Sequence, residues 1–447
     1  MFGSSFKPPQ SLAGRIPAAP RPTTSLQKMS HSLPLVFHLL ITGIYFTIAL
    51  TVSILTHIID GPLLSSWTMM TTIAHSFMKA VLSTHSPQGR HSFDIVRFAT
   101  GFKLPKFLFD ADIKETSITV ENSDILSDAV KEALQVKGKL NFEPEMESVR
   151  TIEGEWVRDK DSANDNVILY LHGGAHIFMS PHTHRAITTR VSKHTKSAVF
   201  VPNYRLAPEN PFPSAIEDAL ACYLALTQPE GVLLSKSRFN QETQVVSNTR
   251  VFLMGDSSGG CLCLQLLQVL RELNLPMPAG AILLSPFLDH KMESSSWHTN
   301  WNTDFLSLDM KGVKWAVEIY SNGIELGHSA ISPIYANLQD FPPILIQSGD
   351  SEVVSDDALR FYQLATTAGS QVELQLYRHM FHVFHTFPFL KESEVAFMKI
   401  SSFVESQKGE LESDSGISIE NYKDETPSVS NIYLIDGQGK TDIYTKI

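Results

Sequence analysis

Cysteine is nearly missing from this chain: Cys222, Cys261 and Cys263 are the only three in 447 residues. An odd count without framework spacing excludes a disulfide scaffold, and no C-x-x-C or H-E-x-x-H signature is there to hold a metal. The three thiols read as small buried hydrophobes. Charge is sparse as well, at 19% of residues, with a formal net charge of −11 and no basic run beside aromatics. Nucleic acid is therefore excluded as a partner. From Leu35 to Ile59 charge of either sign is absent altogether, over 25 residues. A helix of that length spans a hydrocarbon core of about 30 Å, whereas the apolar region of a cleaved signal peptide is only about 7–15 residues long. Lys7, Arg15, Arg21 and Lys28 precede the run without an acidic residue; Asp60 comes after it, with no lysine or arginine until Lys79. The asymmetry predicts a short cytosolic segment over 1–34, a transmembrane signal anchor over 35–59, and everything after Asp60 across the membrane.

Beyond the anchor, the chain divides into a body, residues 60–404, and a tail, residues 405–447. The tail is polar, acidic and without sustained apolar periodicity, which predicts a largely disordered segment. At the start of the body, Trp67, Met70, Ala74, Phe77 and Val81 recur at helical spacing, with Ser, Thr, His75 and Lys79 on the other face. Such a helix fits a membrane surface or the flank of the body, and the spacing leaves both open.

From about Ser92 to Ser402, short apolar runs alternate with amphipathic stretches. Val167–Leu171, Ala198–Val201, Val251–Met254, Ala281–Leu284, Ile344–Gln347 and Val372–Tyr377 read as strands; Ile216–Leu226 and Cys261–Leu273 read as helices. Continuous apolar strands separated by helices predict an α/β fold with a mainly parallel sheet covered on both faces. Ligands of such sheets bind beyond the carboxyl ends of the strands, so the loops there matter most. After the first strand comes HGGAHIF, where glycines allow backbone N–H groups to face a cavity. After Val251–Met254 comes GDSSGG, a G-x-S-x-G turn that presents Ser257. SGDSEVVSDD succeeds Ile344–Gln347, and RHMFHVFHTF, with His379, His382 and His385, succeeds Val372–Tyr377. A serine, an acid and a histidine thus come after strands in the chain order of an α/β-hydrolase.

Across roughly Asn166–Ser402 the chain resembles the hormone-sensitive-lipase-like branch of the α/β-hydrolases. The motifs that carry the resemblance are YLHGGA, VPNYRLAPENPFPSAIEDA, GDSSGG, SEVVSDD and MFHVF. With an anchor ahead of them, the whole is similar to membrane-anchored deacetylases of the arylacetamide-deacetylase and fungal steryl-acetate-hydrolase kind. The resemblance implies an α/β-hydrolase fold with a helical cap, preceded by one transmembrane helix. It also implies a serine-dependent carboxylic ester hydrolase that removes short acyl groups, acetyl above all, from hydrophobic alcohols such as sterols or terpenoids. Lipase-like or transacylase activity on longer chains and an inactive small-molecule receptor remain the alternatives. The expected location is the endoplasmic reticulum membrane, single-pass type II, with the hydrolase body lumenal. The partners expected are a hydrophobic ester and the membrane, and no cofactor or metal is implied.

Residue by residue, the resemblance implies Ser257 as nucleophile and His382, in Met380-Phe381-His382-Val383-Phe384, as base. His379 reads as a loop polar group and His385 as a side chain facing the cap. The family's acidic pattern aligns with Glu352-Val353-Val354-Ser355-Asp356-Asp357. Register therefore favours Glu352 as the acid, in place of the usual aspartate, with Asp350 its rival. The N–H groups of Gly173, Gly174 and Ser258 are expected to form the oxyanion hole, with Ala175 standing where a third glycine is usual. His172 would orient that loop, and Tyr204, Arg205 and Glu209 would brace it from beneath. The lid is expected from the segment after Asp60 and from the stretch holding Trp297, Trp301, Phe305, Trp315 and Tyr320.

Overall fold

A computed structural model describes residues 47–83, 97, 105–121, 123–137, 140–142, 149–162, 165–227, 237–239, 249–306, 310–407 and 432–443. The expected strands and the expected helices are there, with additions at both sheet edges. The strands are β1 (Asp112–Glu121), β2 (Val149–Arg158), β3 (Asn166–Leu171), β4 (Ala198–Pro202), β5 (Ser237–Phe239), β6 (Arg250–Asp256), β7 (Gly280–Leu284), β8 (Ile344–Gly349), β9 (Val372–Tyr377), β10 (Ile432–Ile435) and β11 (Thr441–Ile443). The main helices are α1 (Met69–Ser83), α2 (Ser123–Ala133), α3 (Arg185–Thr195), α4 (Ser214–Thr227), α5 (Ser258–Glu272), α6 (Met310–Tyr320), α7 (Ser355–Thr367) and α8 (Lys391–Ser406).

All eleven strands form one sheet in the order β11-β10-β9-β8-β7-β6-β3-β4-β2-β1-β5. The seven from β10 to β4 run parallel. Of these, β3, β4, β6, β7 and β8 are buried along nearly their whole length, as strands covered on both faces must be. Alternate residues point to opposite faces, so one set of strand residues packs with α4 and α5 and the other with α3 and α8. Leu253 joins the first cluster and its neighbours Phe252 and Met254 the second. This is the α/β-hydrolase architecture.

β1 and β2 pair antiparallel at one edge. β1 does not stand out in the sequence as an apolar run because only every second or third residue is buried. The other edge corrects an expectation. Part of the tail is ordered: Ile432–Ile435 pairs parallel with Leu374–Tyr377, and a turn returns the chain as β11. An apolar run of four residues is too short to show periodicity, but the free edge of β9 supplies its hydrogen-bond partners. Residues 408–431 lie outside the described residues.

Residues 47–59 are helical, while residues 35–46, the first part of the uncharged run, and all of 1–34 lie outside the described residues. Among the described residues no helix is long and apolar enough to cross a membrane. The segment after the run packs on the body. The Trp67 indole N–H donates to the His379 carbonyl at 2.6 Å, and Trp67 and Ala74 join a buried cluster with Phe305, Met380, Phe381 and Phe384. Met70 and Phe77, on α1 with Ala74, remain about half exposed at 49% and 46%.

Candidate active site

The turn between β6 and α5 is shaped by what its glycines leave out. A Cβ on Gly255 would lie 2.5 Å from the Gly259 backbone, and one on Gly259 would lie 2.0 Å from the Leu171 carbonyl. Only glycine at both places lets strand, turn and helix approach so closely. Between them Ser257 takes φ 51° and ψ −120°, a strained backbone for a non-glycine residue. Its N–H donates to the Leu284 carbonyl at 2.9 Å and its own carbonyl accepts from Phe287 at 3.1 Å. The hydroxyl then stands at the N-terminus of α5, clear of the turn.

His382 arrives from the loop after β9, which Ser66 and Trp67, just ahead of α1, clamp at His379. Its Nε2 is 2.9 Å from Ser257 Oγ and its Nδ1 is 3.1 Å from Glu352 Oε2. Glu352 is fully buried after β8; its second oxygen accepts from the Ser285 hydroxyl at 2.7 Å and from the Gly349 N–H. Ser285 Oγ in turn accepts from the Val383 N–H at 3.0 Å. One hydroxyl, at the end of β7, therefore ties the acid to the base's own loop. Burial lowers the proton affinity of His382, but the Glu352 hydrogen bond and charge outweigh it, with help from Asp304 and Asp256, and the pKa is raised.

Asp350 faces elsewhere: its Oδ1 accepts from the His379 N–H at 2.7 Å and the Ser351 hydroxyl at 2.8 Å. Asp357 accepts from the N–H groups of Leu288 and Asp289, both at 3.0 Å, and Asp356 from that of Ser296 at 2.8 Å, so these two support loops. His379 is a loop group bonded to Ser66. His385 does not face a cap; it is fully buried with Nε2 3.2 Å from Gln347 Oε1, because the loop turns back onto the sheet at Phe384–Thr386.

The oxyanion loop needs one correction. The Gly173 N–H is spent on Asp256 Oδ1 at 3.0 Å, and a Cβ there would strike that carboxylate at 2.2 Å. Gly173 is thus a close-packing glycine, and its place as a donor falls to Ala175. Gly174 and Ala175 both take positive φ, at 119° and 53°. Among the described residues, the N–H groups of Gly174, Ala175 and Ser258 have no acceptor, and Ser258 is the first residue of α5. Positive φ at two successive residues turns the peptide N–H groups to one side, as an anion site requires.

Sequence reasoning missed Asp256, although it stands inside the GDSSGG motif. It accepts from the Tyr170 hydroxyl at 2.7 Å and sits 3.3 Å from His184 Nε2, in addition to Gly173. Burial pushes its carboxyl up, yet His184 and Tyr170 hold it down at about 2. It joins nucleophile turn, oxyanion loop and α3 in one buried knot. His172 acts as expected of an orienting residue: fully buried, with Nδ1 2.8 Å from the Gly173 carbonyl and its ring stacked on Tyr204 at 4.3 Å. Burial, with His184 nearby, lowers its pKa to about 3, so it stays neutral. Arg205 pairs with Asp218 and Glu217, while Glu209 leaves the brace to pair with Arg97 at the surface.

The walls are aromatic. Phe305 lies edge-on to His382 at 6.2 Å and to Phe381 at 5.7 Å, and Tyr320 and Trp297 are fully buried. Trp301 is exposed at 39%. Asp304, also missed, is fully buried and bonds the Val353 N–H at 2.8 Å; burial raises its pKa to about 6.

Comparison with known proteins agrees with this geometry. A family model described as alpha/beta hydrolase fold matches residues 168–386. An acetyl-hydrolase from Streptomyces hygroscopicus is 34% identical over 293 residues, covering 65% of this chain and 91% of that protein. An esterase from Acinetobacter venetianus is 32% identical over 257 residues, covering 57% and 79%. Among solved structures, an esterase from the bacterial hormone-sensitive lipase family superposes with a TM-score of 0.57 at 27% identity, covering 74% of this chain and 97% of its own. EstE5, in a crystal soaked with p-nitrophenyl butyrate, gives 0.57 at 28% over the same shares.

Proposed function

Because this chain belongs to the hormone-sensitive-lipase-like α/β-hydrolases and is a carboxylic ester hydrolase, we propose that Ser257, His382 and Glu352 carry its chemistry on short acyl esters, acetyl above all. The observation that carries the assignment is the hydrogen-bonded line from Ser257 Oγ through both nitrogens of His382 to Glu352. A serine hydroxyl is barely nucleophilic at neutral pH until a base takes its proton during attack. His382 Nε2 takes that proton as Oγ attacks the ester carbonyl, while Glu352 holds Nδ1–H and stabilises the imidazolium. The N–H groups of Gly174, Ala175 and Ser258 receive the negative oxygen of the tetrahedral intermediate. His382 then protonates the departing alkoxide. Water, deprotonated by the same nitrogen, releases the acyl group and restores Ser257.

Acetyl as the acyl group is supported by the relative named an acetyl-hydrolase. A hydrophobic alcohol, of the sterol or terpenoid class, is supported by the aromatic wall of Phe305 and Phe381 and by the uncharged run Leu35–Ile59. That run anchors the protein in the endoplasmic reticulum membrane, with the body on the lumenal side. An apolar ester dissolved in the membrane would then reach the site by lateral diffusion.

The test compares acetates of sterols and terpenoid alcohols with acetates of small water-soluble alcohols, and acetate with long-chain esters, using the purified full chain. Sterol or terpenoid acetates should give the higher kcat/KM, and Ser257→Ala should lose on the order of 10⁴–10⁶ in turnover while remaining folded. Near-normal turnover in folded Ser257→Ala would remove the serine from the mechanism. A preference for long acyl chains would replace the deacetylase reading with a lipase-like one.

A further inference from the structure

We propose that His176, His290 and Cys261 form a buried binding site for one zinc ion directly behind the oxyanion loop. His176 is the residue after Ala175, Cys261 is one turn into α5 from Ser257, and His290 lies in the loop after β7. Their ligating atoms all lie within 4.8 Å of one another, the one such group of three among the described residues. The two Nε2 atoms stand 3.2 Å apart. Tetrahedral zinc with Zn–N near 2.0 Å and Zn–S near 2.3 Å sets N···N at about 3.3 Å and N···S at about 3.6 Å. The two Nε2 atoms are thus already spaced for the metal, and the Cys261 sulfur belongs to the same 4.8 Å group.

The chemistry of the donors fits a borderline-soft cation with two imidazoles and a thiolate. All three residues are at most 1% exposed. Zinc entering the site forms one Zn–S bond and two Zn–N bonds, and the Cys261 thiol proton leaves to solvent or buffer. A water completes the fourth position. The ligands are held by their surroundings: the His290 N–H donates to Ser332 Oγ at 2.9 Å, and His176 stacks on Tyr320 with ring centroids 3.7 Å apart. The His176 N–H reaches Ser258 Oγ at 3.3 Å, so an ion here would stiffen the backbone that carries Ala175 and Ser258.

Because the site is enclosed, it is loaded while the chain folds, and the test loads it during expression. The full chain is produced in zinc- or cobalt-supplemented medium, purified, and dialysed against chelator. About one metal per chain should remain in the wild type and in Cys222→Ala, whose thiol is buried elsewhere in α4. Cys261→Ala and Cys261→Ser, each checked for folding by circular dichroism, should retain at least tenfold less. The cobalt protein should show a thiolate-to-cobalt charge-transfer band in the near ultraviolet, absent from both Cys261 variants. Metal retained equally by wild type and folded Cys261 variants, or no metal in any of them, overturns the proposal and leaves a hydrogen-bonded imidazole pair beside a thiol.

Discussion

At the scale of the residue, the choice of acid is the point on which sequence and geometry are most easily compared. Two carboxylates, two residues apart, compete for His382, and only Glu352 faces it. Glu352→Gln should keep the fold and cost on the order of 10²–10⁴ in turnover, since an amide neither stabilises an imidazolium nor fixes its tautomer. Asp350→Asn should cost under about tenfold, because its oxygen can still accept from His379. Steady-state kinetics on both variants, with folding checked by circular dichroism, decides between them; reversed effects would transfer the role to Asp350. The raised pKa of His382 gives a second expectation. The base works only unprotonated, so kcat/KM should fall as pH drops through a midpoint above 6.5, the ordinary histidine value. Asp304→Asn removes one of the charges that raise it, so the midpoint should move to lower pH. A wild-type midpoint at or below 6.5 would contradict the electrostatic reading.

Elements place these residues with strand ends and with close packing. The β6–α5 turn works because Gly255 and Gly259 admit contacts that any side chain would block, and this much could be read from G-x-S-x-G. The docking of α1 could not. Its apolar spacing fitted either a membrane surface or the body, and the anchor just ahead of it, Trp67, bonds the His379 carbonyl 312 residues away. Trp67→Ala should remove that hydrogen bond and a large buried ring, lowering stability by about 3 kcal/mol. It should also lower kcat/KM, since the His379–His382 loop loses its clamp. Denaturant unfolding and ester kinetics on one preparation check both; unchanged values would mean that the segment ahead of α1 merely rests on the loop. The β10–β11 hairpin shows the same limit, because a four-residue apolar run becomes a strand only where an edge awaits it.

At the scale of the whole molecule, the uncharged run ahead of the body and the hydrolase sheet are separable in sequence. Deleting residues 1–60 should yield soluble protein that hydrolyses a water-soluble acetate within about threefold of the full chain, as α1 loses the His57–Thr72 contact but keeps its packing on the body. Within the full chain, a glycosylation acceptor placed beyond Glu405 should be modified and one before Lys28 should not. Glycosylation only at the N-terminal acceptor would reverse the proposed orientation, and an inactive but folded truncation would give residues 1–60 a role beyond the proposed anchor.

The sequence by itself determined the fold class, the order of the chemistry-bearing loops, and the turn that presents Ser257; His382 followed from the family resemblance, and the structure brings the two within 2.9 Å of each other. The fold class, the loop order and the serine turn rest on local information: buried strands are written as continuous apolar runs, and a tight turn declares itself in glycine. The tertiary structure decided which neighbours meet. It turned Glu352 rather than Asp350 toward His382, gave the Gly173 N–H to Asp256, and inserted Ser285 between acid and base. It also brought His176 to His290 across 114 residues of chain. Hydrogen bonds and ligand sets depend on direction and on tenths of an ångström. Those are fixed by strand register and loop backbone angles, which no single stretch of sequence contains.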